Sequence, residues 1–291
     1  MRRCGRTMRR RTPVLVAILL LCVAGIVEVR ASLESSFIFP GAATQGRPDT
    51  IVPPSGDYEL VPLQTRDGTR IMAQFGRALD SRGAHLLDPG MRPTVIFFYG
   101  NGACLAYMGE VFNGFRRLGM NVLIPEYPGY GMSAGKPSEK GFYAAADAGY
   151  DYLAQRPDID HERIVAAGWS MGSAVALDLA SRRKVSSLVL VSAFTTLPSV
   201  ARALVRWFPT SLIIRSRFDN LAKIPAVTCP IFIAHGTRDN LVPPVMSGQL
   251  AVAAKSRVTS FEVVGGGHND VFEVGGVPLW EAIQASVFGP K

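Results

Sequence analysis

Three side chains far apart in the sequence have the types that covalent acyl transfer needs: Ser170, Asp239 and His268. A serine hydroxyl is a weak nucleophile at neutral pH. It needs an imidazole to take its proton, and the imidazole needs a carboxylate to hold its tautomer and favour the cation that forms. Ser170 sits in Gly168-Trp-Ser-Met-Gly172, after the apolar run 164–167 and before small and apolar residues at helical intervals (Ala174, Leu177, Leu179, Ala180). That is the layout of a nucleophile elbow, a sharp strand-to-helix turn that lifts a hydroxyl above a sheet and requires glycines where side chains would collide. The helix that follows would aim its positive end at a developing oxyanion.

Each of the three has competitors in the chain. A second Gly-x-Ser-x-Gly, Gly131-Met-Ser133-Ala-Gly135, follows Tyr127-Pro128-Gly129-Tyr130, which cannot end a strand, and precedes Lys136-Pro137, which cannot open a helix at once. Ser133 therefore reads as loop. Of four histidines, His85 lies in a polar loop and His161 just ahead of a strand's start, at the wrong end of a sheet. His235 ends a strand within His-Gly-Thr-Arg-Asp and is expected to pack or hydrogen-bond in the turn. His268 follows a strand through Gly265-Gly266-Gly267, a loop able to carry it over the sheet's edge. Asp239 lies just past the strand 231–235. Asp270 neighbours His268, but its spacing to Glu273 suits a carboxylate at a helix start. The order Ser170, Asp239, His268 is the one found where such an elbow carries the nucleophile.

The elements that must position these residues alternate along the chain. Strands 58–63 and 70–78 form a hairpin across Arg66-Asp67-Gly68-Thr69. Strand 94–99, helix 103–118, strand 121–125 and helix 139–155 follow. Next come strand 163–168, helix 170–182 and strand 187–191, and strand 230–235, helix 244–254, strand 260–264 and helix 278–288 close the series. Near-continuous apolar strands such as TVIFF, SLVLV and PIFIA suit a parallel sheet covered on both faces. The expected fold class is α/β, with a mostly parallel central sheet, helices on both faces, and the candidate residues at the strands' carboxyl ends.

Residues 1–31 stand apart from that body. Six arginines precede an uninterrupted apolar run, 14–27, and Val29-Arg30-Ala31 offers small residues for a signal peptidase. The run spans about 21 Å, short of the roughly 30 Å of a bilayer core, so cleavage near Ala31 is favoured over an uncleaved membrane anchor. Either outcome places the body outside the cytosol, with 14–27 as the means of any membrane association. The leader also accounts for most of the formal net charge of +8: it holds seven arginines and one acid, leaving 24 basic and 22 acidic residues, and nothing in the body suggests nucleic acid. Beyond the leader only Cys104 and Cys229 remain, at opposite ends of a parallel sheet, so no disulfide joins them, and no metal or cofactor framework is spaced along the chain. Residues 32–56, rich in Pro, Gly and Ser, read as an extended lead-in in which 36–39 pairs as an edge strand. Residues 57–291 form one domain with a short cap-like segment, 196–224.

From about Tyr58 onward the chain resembles an α/β-hydrolase of the Bem46-like group, related to the serine aminopeptidase-like hydrolases. The likeness is carried by Phe97-Phe98-Tyr99-Gly100-Asn101-Gly102, Glu126-Tyr-Pro-Gly-Tyr-Gly-Met-Ser133, Gly168-Trp-Ser-Met-Gly172, His235-Gly-Thr-Arg-Asp239 and Gly267-His-Asn-Asp270. It implies an oxyanion hole made of the Asn101 and Met171 backbone amides, which agrees with one donor after the nucleophile and one from the loop after the third strand. Relatives usually carry His where Tyr99 stands and Asp where Glu126 stands. The cap-like segment holds Leu204, Trp207, Phe208, Leu212, Ile213 and Ile214, either burying against the sheet or walling an acyl group. The expected activity is hydrolysis of a small-molecule or lipid-like ester or thioester through an acyl-Ser170 intermediate. The alternatives are a peptidase on the same three residues, for which 196–223 offers no acidic cluster to hold an amine, and a non-catalytic envelope protein that keeps the fold.

Overall fold

The computed structural model describes residues 37–86, 88–205 and 214–289. The leader with its apolar run and cleavage site, and Trp207, Phe208, Leu212 and Ile213 of the cap-like segment, lie outside the described residues. Among the described residues no helix is long and apolar enough to cross a membrane.

The strands are β1 (Glu59–Gln64), β2 (Arg70–Gly76), β3 (Thr94–Phe98), β4 (Asn121–Pro125), β5 (Ile164–Trp169), β6 (Ser187–Val191), β7 (Ile231–Gly236) and β8 (Val258–Val263). They form one sheet in the order β1-β2-β4-β3-β5-β6-β7-β8. The β1–β2 and β2–β4 pairs are antiparallel and every other pair is parallel, so the sheet is the mostly parallel one expected. Burial explains the sequence pattern. β3, β4 and β6 are buried at every position, as strands with helices on both faces must be. The edge strands β1 and β8 mix exposed and buried positions, because one flank of each has no strand beside it. Strand order reverses at β3, with β4 on one side and β5 on the other. Such a reversal opens a crevice at the strands' carboxyl ends, and the loops leaving β3 and β5 border it.

Helices α1 (Gly109–Arg117), α2 (Glu139–Gln155), α3 (Met171–Arg182), α4 (Leu197–Leu204), α5 (Asn220–Lys223), α6 (Val245–Ala253) and α7 (Val271–Phe288) connect these strands. Ser138 and Thr196 cap α2 and α4, accepting from the Gly141 and Ser199 N–H groups. Every residue of α3 from Met171 to Ala180 is buried, so this helix is core on all sides, and its small residues let it lie close to the strands.

Three expected elements differ from the sequence reading by more than two residues. The expected strand 36–39 does not form: Phe37 and Ile38 are helical, and the chain continues as a 3₁₀ turn, Pro40–Thr44, whose hydrogen bonds go elsewhere. The helix expected at 103–118 begins only at Gly109, after a separate 3₁₀ turn at Leu105–Tyr107 whose first N–H, that of Leu105, donates to the Glu126 carboxylate. The last helix starts at Val271 rather than at Pro278. Two helices run together there across a kink at Gly276 (φ 46°, ψ −145°), with Pro278 opening the second as proline can. At the end of α4, Leu204 and Val205 are exposed, whereas Ile214 packs against the core.

Candidate active site

Ser170 closes the step from β5 to α3 with φ 56° and ψ −122°, a conformation that costs a non-glycine residue about 1–3 kcal/mol and persists only where its surroundings enforce it. One hydrogen bond enforces it and two glycines make room for it. The Ser170 N–H donates to Val191 O of β6 at 2.9 Å, extending the ladder one residue past β5. The flanking glycines allow the turn: a Cβ on Gly172 would lie 1.9 Å from Phe98 O, and one on Gly168 would lie 2.1 Å from Gly172 O. A side chain at either position would drive the helix away from the strands.

The structure brings together the three residues named from sequence. Ser170 Oγ lies 2.7 Å from His268 Nε2, and His268 Nδ1 lies 2.7 Å from Asp239 Oδ2. All three are buried. A carboxylate beside Nδ1 can only accept, so Nδ1 carries the proton and Nε2 is free to accept the Ser170 O–H. Asp239 is held from every side. Its Oδ1 accepts the Leu241 and Val242 N–H groups at 2.9 and 2.7 Å, and Oδ2 accepts from His268 and from His235 Nε2 at 3.1 Å. Burial alone would raise this carboxyl's pKa, but the hydrogen bonds from His235, His268 and Val242 outweigh it and hold it below the usual carboxylate range. It is an anion at any pH near neutrality.

His235 thus hydrogen-bonds in its turn, as expected, but to the acid itself. Its Nδ1 contacts Ser247 Oγ at 2.6 Å, which ties α6 to the same cluster. That histidine's place as a second partner of Asp239 was missed, although the four-residue spacing His235 to Asp239 across a turn was a usable signal. Trp169 was missed as well. Its indole N–H donates to His268 O at 3.2 Å, and the two rings lie 5.8 Å apart, so the residue before Ser170 holds the loop that carries His268. Asp270 does stand at the start of α7, but its carboxylate makes no cap there. It accepts the Gly267 N–H at 2.6 Å and closes the His268 loop on itself.

Asn101 and Met171 sit on the two backbone segments that meet at Ser170. A Cβ on Gly100 would lie 3.3 Å from Ser170 Cβ. Met171 is the first residue of α3, where backbone N–H groups have no intrahelical acceptor. Among the described residues, neither the Asn101 nor the Met171 N–H donates to another backbone group. Two free N–H groups beside a serine hydroxyl at a helix N-terminus can stabilise a developing oxyanion.

The two positions that depart from the family pattern are buried behind this site. Tyr99 packs its ring 4.6 Å from that of Tyr127, its hydroxyl accepts the Tyr127 N–H at 3.3 Å, and the Tyr127 hydroxyl donates to Tyr99 O at 2.9 Å. Glu126 accepts the Leu105 N–H at 2.9 Å and the Met132 N–H at 2.7 Å. Burial pushes its carboxyl up to about 7 in spite of those bonds. His85 and His161 are remote from the cluster, the first beside Asp57 and the second on Arg156 O. Cys104 and Cys229 are free, buried thiols. Among the described residues no group of His, Cys, Asp or Glu is placed to hold a metal ion.

Comparison with known proteins points the same way as the fold. Residues 93–214 match the model of the alpha/beta hydrolase fold. The chain is 31% identical over 276 residues to the uncharacterized protein Rv2307c of Mycobacterium tuberculosis, covering 94% of both chains. It is 32% identical over 244 residues to the alpha/beta hydrolase domain-containing protein WAV2 of Arabidopsis thaliana, covering 77% of this chain and 76% of that one. Among solved structures, the Pyrococcus furiosus esterase Pf2001 superimposes with a TM-score of 0.67 at 20% identity, over 81% of this chain and 94% of that chain. With its eight-stranded sheet, its strained serine after β5 and these relatives along its length, the chain belongs to the alpha/beta hydrolase family.

Proposed function

We propose that this chain is a serine hydrolase that cleaves an ester or thioester with an apolar acyl part through an acyl-Ser170 intermediate. The observation that carries the reading is the unbroken chain of contacts, Ser170 Oγ to His268 Nε2 at 2.7 Å and His268 Nδ1 to Asp239 Oδ2 at 2.7 Å, on a serine held at φ 56°. His268 Nε2 takes the Ser170 proton as Oγ attacks the acyl carbon. The carbonyl oxygen becomes an oxyanion that accepts from the Asn101 and Met171 N–H groups. The imidazolium is stabilised by the Asp239 carboxylate and gives its proton to the departing alcohol or thiol as the bond to it breaks. Water then repeats the sequence on the acyl-serine, His268 Nε2 taking its proton and returning it to Ser170 Oγ as the carboxylic acid leaves.

The exposed Leu204 and Val205, followed in the sequence by Trp207, Phe208, Leu212 and Ile213, support an acyl rather than a charged substrate. An esterase among the structural relatives fits the same reading. The arginine-rich leader and its apolar run support placement outside the cytosol. A fluorophosphonate should label the protein at Ser170, as mapped by mass spectrometry, and p-nitrophenyl and thioester acyl substrates should turn over faster than aminoacyl amides. Labelling that persists in Ser170→Ala, or a preference for the amides, would reject the proposal or move it to a peptidase.

A further inference from the structure

The first described segment, 37–50, lies before the residues that match the alpha/beta hydrolase model and pairs with no strand. Its polar groups nevertheless go to the loops around Ser170. The Gly41 N–H donates to Asn101 O at 2.9 Å, and Asn101 Nδ2 donates to Ile38 O at 2.7 Å. A third bond comes from the Tyr130 hydroxyl to the same Asn101 O at 2.9 Å. Asn101 is therefore held at its carbonyl and at its side-chain amide, while its backbone N–H donates to no backbone group among the described residues. The approach is close enough to need glycine: a Cβ on Gly41 would lie 2.1 Å from Tyr130 Cε1 and 2.8 Å from Asn101 O.

The rest of the segment braces this contact. Thr44 Oγ1 donates to Gly41 O at 2.5 Å and accepts the Gly131 N–H at 3.0 Å, and the Gly46 N–H donates to Gly131 O at 2.9 Å. Tyr130 and Gly131 are thus fixed in the same cluster as Asn101. Phe39 supplies the apolar anchor, its ring 5.3 Å from that of Phe142 and 6.5 Å from that of Phe218. Covering apolar surface would need only Phe39 and Ile38. Two hydrogen bonds to the loop residue proposed above as an oxyanion donor are more than covering requires.

We infer that Ile38, Gly41 and the Asn101 side chain are positioning groups for the oxyanion hole, the lead-in acting as a strap that sets the direction of the Asn101 N–H. This deepens the serine-hydrolase reading and rests on it. A donor misaimed by a fraction of an ångström still binds substrate but loses the transition state, so the strap should act on kcat rather than on KM.

The test compares wild type, Ser170→Ala, Asn101→Ala and Gly41→Ala, with kcat and KM measured on a p-nitrophenyl ester and normalised to active sites titrated by a fluorophosphonate. Inhibition by an alkylboronic acid, whose serine adduct is tetrahedral and anionic, is measured beside inhibition by the matching neutral carboxamide. Asn101→Ala keeps the backbone amide and removes only the anchor to Ile38 O. It should lower kcat about tenfold, a part of the roughly 10²–10³ that one oxyanion donor is worth, with KM within threefold. Boronate affinity should fall in parallel while carboxamide affinity holds. Gly41→Ala should do the same more strongly. If it does not fold, Asn101→Ala decides alone. A kcat and boronate affinity within twofold of wild type, or equal losses for boronate and carboxamide, would overturn the inference and leave the hydrolase reading intact. Wild-type turnover that survives Ser170→Ala would remove both.

Discussion

The chain contains Gly-x-Ser-x-Gly twice, and the two copies are built in opposite ways. At Gly131-Met-Ser133-Ala-Gly135 the glycines take the unusual backbone angles, φ 41° and 88°, and the serine is ordinary. Its hydroxyl accepts the Met72 N–H at 3.0 Å and so pins the loop to β2. At Gly168-Trp-Ser170-Met-Gly172 the serine itself takes the positive φ, and the glycines are needed for clearance. Its hydroxyl meets no backbone group and faces an imidazole instead. The same five-residue pattern thus serves as a loop fastener in one place and as the turn that sets Ser170 against His268 in the other. What separates them is whether a strand ends before the serine and a helix begins after it.

Substitutions at the two serines should part most widely. Ser170→Ala is expected to lower ester turnover by about 10⁵-fold or more with little change in thermal midpoint, as removal of a nucleophile does elsewhere. Asp239→Asn comes next, at about 10⁴-fold in kcat, because an amide in place of the carboxylate no longer fixes the His268 tautomer. Steady-state kinetics at neutral pH check both, and a loss under tenfold in either would end the distinction drawn here.

Glu126, which holds the Met132 N–H beside the second copy, should show itself in stability. Its carboxyl lies at about 7 in the folded protein against an ordinary 4.5, so the folded state binds the proton more tightly than the unfolded one. Its contribution is therefore fully present below about pH 4.5 and is lost as pH rises through about 7, a change on the order of 3 kcal/mol. Urea unfolding of Glu126→Gln should lack that decline over this window; an unchanged slope would place the titration elsewhere. The smallest effect belongs to Ser133→Ala. It should cost about 1 kcal/mol through the lost Met72 contact and lower turnover less than tenfold, so a larger fall in turnover would mean the fastener is part of the reaction.

How much of this was legible beforehand follows the range of the interactions. β4, α2 and β6 match the sequence reading residue for residue, since the apolar run of a buried strand and the Ser138 cap are written locally. Ser170, Asp239 and His268 could be placed at one end of the sheet from strand order alone. The helix expected at 103–118 was set too long; its start is a separate 3₁₀ turn bonded to a carboxylate 21 residues away, and nothing at Leu105 announces that contact. The same holds for the lead-in. Its Pro, Gly and Ser content suggested an extended lead-in with an edge strand at 36–39, and only the folded chain shows that Gly41 is a glycine because Tyr130 and Asn101 press on it. Trp169 was hidden likewise, its partner lying on a distant loop, whereas the His235–Asp239 contact spans one turn and could have been read from its spacing.

The acid of the cluster is satisfied more fully than the base. Asp239 receives four hydrogen bonds, and only one of them comes from His268. If the glycine-rich loop swings out to admit or release a molecule, the anion left behind still has three donors in place and is not stranded in an apolar interior. The departing ring finds the same landing point on its return, so opening the entrance does not require rebuilding the machinery beneath it.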